Sequence, residues 1–305
     1  MAFIHDDFLL QTPMARRLYH EVAAGLPIID YHCHTSPREV AEDRRFPDLF
    51  SIWLEGDHYK WRAMRSNGIA ERFITGDASP YEKLQAFAGT MPHTLRNPLF
   101  HWSHLELKRY FDIDEMLTPE SAPRIWARAN ERLQEKDRSA QGILRDFKVE
   151  VVCTTDDPAD DLQWHRQFVT AGHPTKLLPA FRPDALLKIA QPEIFNAYVD
   201  RLGVAADVEI GDFAALEKAL ESRHAYFHAQ GCRLSDHGLN HAWASFGTRR
   251  QVMDIFAKAR AGGQVDAAEH AVFATEIMLL SGRWDAARGW TKQLHLGALR
   301  NNSSR

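Results

Sequence analysis

The chain has 305 residues, 45% of them apolar and 26% charged, with 37 Lys and Arg against 41 Asp and Glu for a net charge of −4. That length suits one large domain or two smaller ones with a sizeable buried core. The weak negative charge argues against nucleic acid or an anionic membrane surface as partner, and no apolar run is long enough for a transmembrane helix.

Taken in chain order, the first ten residues carry His5, Asp6 and Asp7 and show no signal-peptide pattern. Thr12-Pro13 reads as an N-cap followed by proline at the first helical position, and Gly25 as the stop of that helix. Ile28-Ile29-Asp30-Tyr31-His32-Cys33-His34 then predicts a buried strand over 28–34 that ends in His-x-His. Residues two apart on a strand share a face, so His32 and His34 aim two imidazoles at one point. Two neutral imidazoles suit a divalent cation such as Zn, Mn or Co. The competing reading is a chance pair of surface histidines.

Residues 35–148 do not follow the same rhythm. They are rich in Trp, Arg and His, with Ser79-Pro80 at a helix start, and read as a mainly helical insertion. His101 and His104 are expected to hold that insertion together. Strand-like segments follow at 149–155, 177–182, 231–237 and 291–298, separated by helical patterns that include Asp212–Gln230 and Asp266–Ala287. Asp157-Pro158 reads as a further helix start. Alternating strands and helices predict parallel β/α units. Each strand ends in capable residues: His32 and His34, Thr154-Thr155-Asp156, Arg182, Asp236-His237, and His295. A barrel gathers its strand ends on one face, so these would meet. Asp236 and His237 stay open between a direct and a supporting role. Cys33, Cys153 and Cys232 are odd in number and far apart, which predicts free buried thiols in a reducing cytoplasm.

Several stretches together resemble the uronate (glucuronate) isomerases of the amidohydrolase superfamily. They are residues 30–34, the long run 53–65 from Trp53 to Arg65, Asn97–Leu107, Thr154-Thr155-Asp156-Asp157-Pro158, Phe181-Arg182-Pro183-Asp184, 231–237 and His295–Asn302. The resemblance implies a TIM-type (β/α)8 barrel, a single domain over 1–305 with the insertion within it, and a cytoplasmic enzyme of hexuronate catabolism. It implies interconversion of D-glucuronate with D-fructuronate and of D-galacturonate with D-tagaturonate, with a homo-oligomer in the full-length family. Carried over, His32 and His34 would be metal ligands, with Zn the first choice. Tyr59 and His295 would be catalytic. His58, Arg182 and Arg300 would bind substrate.

Members of that family continue past the point matched by Arg305, and five strands, or six with one in the insertion, fall short of the eight a closed barrel needs. The expectation is therefore an incomplete barrel, unstable and inactive by itself. The alternatives to an isomerase are a metal-dependent hydrolase of the same superfamily or an inactive remnant. A hydrolase site often carries a bridging carboxylated lysine, and no strand-end lysine is evident.

Overall fold

The structure, a computed structural model, describes residues 2–297. It contains five strands: β1 (Ile28–Asp30), β2 (Val149–Cys153), β3 (Lys176–Leu178), β4 (Leu234–Leu239) and β5 (Thr291–Leu296). β1, β2 and β3 form one sheet in that order, and β4 pairs with β5. A parallel bridge from Phe181 to Ser235 links the two groups just beyond β3. β2–β3 and β4–β5 pair in parallel, and the antiparallel contact among the described residues is an isolated bridge between Arg45 and Ser139 in the first helical region. Register advances in step from Val151–Lys176 to Cys153–Leu178 and from Leu234–Thr291 to Leu239–Leu296. Between β1 and β2 the Ile28 N–H donates to Lys148 O and the Cys33 N–H to Cys153 O, five residues further along both chains. The spatial order never reverses, unlike a doubly wound sheet with its switch point.

The chain divides into two compact units, residues 1–28 with 42–149 and residues 29–41 with 150–305. The first is built from helices around Leu49, Met64, Phe87, Leu107 and Ile125. Its helix ends follow the sequence. Ser79 and Glu82 form a capping box ahead of Pro80–Thr90, and Asn97 caps Pro98–Phe111. His104 accepts the Leu117 N–H at 3.0 Å and donates to Phe100 O at 2.6 Å, which fixes a neutral ring inside this core. Burial lowers its pKa.

In the second unit, helices Pro192–Ala206, Phe213–Ala229, Arg249–Arg260 and Ala267–Arg288 cover the strands. Phe195, Phe213, Phe256 and Phe273 pack with ring centroids 5.8–6.4 Å apart. Phe256 is fully buried. Phe256→Ala is expected to cost about 3–5 kcal/mol, measured as a lowered urea midpoint at unchanged slope. A loss under ~1 kcal/mol would show that the cluster collapses onto the gap.

Three local expectations differ from the structure. The helix begun by Thr12 ends at Glu21, not at Gly25, because Val22 leaves helical geometry and a 3-10 turn takes over at Ala23–Gly25. Asp157-Pro158 starts no helix. The Asp157 carboxylate accepts the Ala159 N–H at 2.9 Å and makes a turn, Leu162 adopts φ 56°, and the helix starts at Gln163. β1 is an edge strand rather than a buried one, with Ile28 and Ile29 exposed by 45% and 60%. Among the described residues only β2 pairs with it. No described helix is long and apolar enough to cross a membrane.

Candidate active site

Side chains from just past β1, from within β4 and from near the end of β5 converge. On β4, Asp236 points to the opposite face from Ser235 and His237. Its carboxylate is fully buried. Oδ1 lies 2.8 Å from His295 Nδ1 on β5 and 3.8 Å from His32 Nδ1 just past β1. The two imidazoles stand 4.4 Å apart between centroids. Nearby, Gln293 Nε2 donates to Tyr31 O at 3.0 Å, so the tips of β5 and β1 meet.

The donor set fits a divalent cation. One ligand atom from each of His32, Asp236 and His295 lies within 4.8 Å of the others. Asp236 Oδ1 and the Nδ1 atoms of His32 and His295 are buried yet form no hydrogen bond among the described residues. Buried polar atoms without hydrogen bonds call for an explanation, and an ion is one. His32, Asp236 and His295 could hold such a cation, which would give these atoms a partner. Burial, together with the nearby His295 and Arg182, lowers the His32 pKa against the opposing pull of Asp236. That favours the neutral ligand form.

Arg182, four residues past β3, joins Asp236 from the other side, NH1 to Oδ2 at 3.0 Å. Its Nε donates to Asp184 at 2.9 Å. The guanidinium lies over Gly238, where a Cβ would come within 2.3 Å of NH2, so glycine makes this approach possible. Burial would raise the Asp184 pKa, but hydrogen bonds from His237 and the Gly238 N–H, with the Arg182 charge, bring it below the usual carboxylate value.

The expected site residues separate as follows. His32, Arg182 and His295 come together. The His34 ring lies 5.0 Å from that of His32, outside the three ligand-bearing groups. His58 and Tyr59 open the helix His58–Ser66 in the first unit. Asp57 caps that helix, accepting the Tyr59 and Lys60 N–H groups and pairing with Lys60 Nζ at 2.9 Å. Tyr59 is 56% exposed and borders a cavity of about 670 Å³ lined also by Arg62, His93, Asn97 and Trp102. Arg300 lies outside the described residues. Asp236, open in the sequence, proves central, and Asp184 was missed although it stands two residues after Arg182. The thiols are free. Burial raises the pKa of Cys153 to about 11 and of Cys232 to about 12, so both stay protonated near neutrality.

Parallel strands that bring two histidines and an aspartate together, with an arginine beside them, make an α/β protein with a side-chain group that could hold a cation. A family model described as glucuronate isomerase matches residues 1–305, and the chain belongs to that family. The uronate isomerase of Solibacter usitatus is 56% identical over 305 residues, covering 100% of this chain and 65% of that protein. That of Opitutus terrae is 52% identical, covering 99% and 64%. The chain thus spans a little under two thirds of the length of these relatives. The crystal structure of uronate isomerase from Thermotoga maritima superposes with a TM-score of 0.92 at 33% identity, over 99% of this chain and 66% of that one. Glucuronate isomerase from Caulobacter crescentus shares the fold, with a TM-score of 0.89 at 23% identity.

Proposed function

We propose that this chain carries the core of an aldose–ketose isomerase of hexuronates, interconverting D-glucuronate with D-fructuronate and D-galacturonate with D-tagaturonate. The observation behind this reading is the convergence of His32, Asp236, His295 and Arg182 in a member of the glucuronate isomerase family. We further read the five consecutive parallel strands as part of a TIM-type (β/α)8 barrel and the protein as acting in the cytoplasm as a homo-oligomer.

The reaction moves a hydrogen between C2 and C1 of an open-chain sugar acid through an enediol. It needs a base beside a carbonyl and stabilisation of the developing oxyanion. His32, Asp236 and His295 would hold a divalent cation, for which Zn, Mn or Co is suited, and His34 remains a further ligand candidate in this reading. When bound, such an ion polarises the substrate oxygens. We assign proton transfer to Tyr59 and, where it faces the reacting oxygens instead of the cation, to His295. Arg182, His58 and Arg300 would orient the substrate, and a guanidinium offers the planar fork that a carboxylate needs.

Incubation with D-glucuronate in D2O of the chain extended to the length of its relatives, after chelation and then with Zn2+, Mn2+ or Co2+ restored, tests the reading. The expected result is D-fructuronate carrying deuterium at C1. Product with no solvent deuterium would replace the enediol by a hydride shift. Absence of product with every cation would overturn the isomerase assignment.

A further inference from the structure

Behind the site, on the opposite face of β4 and β5, lies a largely buried chain of charged and polar groups. Lys292 sits opposite Ser235 in the parallel register. Its ammonium donates to His237 Nε2 at 2.8 Å, to Ser281 Oγ at 2.6 Å and to Asp285 Oδ2 at 3.3 Å, using all three protons. Asp285 is held independently by His224 at 3.0 Å and the Ser235 hydroxyl at 2.7 Å. Because Lys292 donates to Nε2, the neutral His237 ring carries its proton on Nδ1 and turns it toward Asp184 Oδ1, 3.3 Å away. The other Asp184 oxygen takes the Gly238 N–H at 2.7 Å and Arg182 Nε.

This arrangement has a direction. Among the described residues, Asp184 is the acceptor that ties Arg182 to the rear of the sheet. With Arg182 NH1 fixed on Asp236 Oδ2, Oδ1 is left facing His295 and His32. We propose that Lys292 and His237 are positioning residues. They hold Asp184, and through it Arg182, so that Asp236 presents a single oxygen to the imidazoles. Neither side chain touches the site. Outer partners of ligand side chains commonly change cation affinity by ~10–100-fold when removed. The inference deepens the functional reading above and rests on it for its effect on the cation, but not for its effect on Arg182.

The test uses Lys292→Met in the full chain, with two readouts. The first is the Arg182 Nε–H signal in 15N NMR, assigned by its disappearance in Arg182→Lys. This needs neither cation nor substrate. The second is Zn2+ affinity by competition with a chromophoric chelator. The expected result is solvent exchange of the Arg182 Nε–H at least about tenfold faster and Zn2+ affinity lower by about tenfold. A purely structural lysine would lower the melting temperature and leave the Arg182 signal in place, which overturns the proposal. Should Lys292→Met not fold, the pair His237→Asn and His237→Leu decides. The asparagine amide can still donate to Asp184 and should keep the Arg182 signal, whereas leucine should lose it. Equal behaviour of the two overturns the relay. If Arg182 responds as expected but wild-type protein turns over no hexuronate, the relay stands and the isomerase reading fails.

Discussion

Asp236→Asn is expected, under the isomerase reading proposed above, to lower hexuronate turnover by about a thousandfold, on the order of 4 kcal/mol of transition-state stabilisation, and to abolish stoichiometric Zn2+ binding. The side chain is fully buried and close in shape to its replacement, so packing changes little. The amide oxygen can still lie against the Arg182 guanidinium, which also keeps Asp184. What disappears is the negative charge between two imidazoles and a guanidinium. Loss of a charged hydrogen-bond partner should cost about 1.5–3 kcal/mol of stability, small enough for the variant to be purified. Steady-state kinetics and metal content by mass spectrometry give the two numbers. Turnover above about a tenth of wild type would remove Asp236 from the centre of the mechanism.

Asp156→Asn is expected to stabilise the protein at alkaline pH, by on the order of 3 kcal/mol at pH 8 and by almost nothing near pH 4. Asp156 follows β2 and is 5% exposed. Its Oδ2 accepts from the Thr154 hydroxyl at 2.7 Å and the Ala180 N–H at 3.1 Å. Burial outweighs these bonds and pushes its pKa up to about 7, against 3.8 for a free carboxyl. The folded state therefore prefers the protonated acid. Stability is fully present below the unfolded value and is lost as pH rises from about 4 through about 7. At about 1.36 kcal/mol per unit, the ceiling on that loss is about 4 kcal/mol. His165, whose Nε2 lies 2.8 Å from the Thr154 hydroxyl, offers no compensating charge, since burial lowers its pKa to about 4. Urea midpoints of wild type and variant at pH 5 and pH 8 decide the matter. A variant destabilised equally at both pH values would show that Asp156 is ionised and paired in the fold.

Helix boundaries were legible where a side chain caps the backbone locally. Asp212 ahead of Phe213–Ala229 and Asp266 ahead of Ala267–Arg288 form the bonds that their sequences imply. Strand ends were less so, because pairing depends on neighbours far along the chain. β1 and β3 are three residues each, shorter than their apolar runs, and continue as single bonds and bridges near Cys33 and Phe181. In the site, His32, Arg182 and His295 were readable as polar residues at the ends of apolar strands. Asp236-His237 left the inward residue undecided, since alternation fixes a face only once register is known. Lys292 and Asp285 were unreadable for a related reason. They lie in one strand and the helix before it, and their further partners are distant: His237 is 55 residues from Lys292, and His224 and Ser235 are 61 and 50 residues from Asp285.

The pairing of β1 with β2 also imposes a timetable on the nascent chain. Ile28 donates to Lys148, and the intervening residues fold only into helices, helical turns and loops apart from one isolated bridge. At ~5–20 residues per second, a ribosome needs on the order of ten seconds to supply that partner. Ile28, Ile29 and Tyr31 emerge with nothing to pair with, while the helical segment behind them can already condense around its own core. Translation speed through residues 35–148 thus sets how long an adhesive apolar strand stays open to chaperones or to a neighbouring polysome. Synonymous codons that stall in this interval should cost soluble yield without altering a single residue of the site.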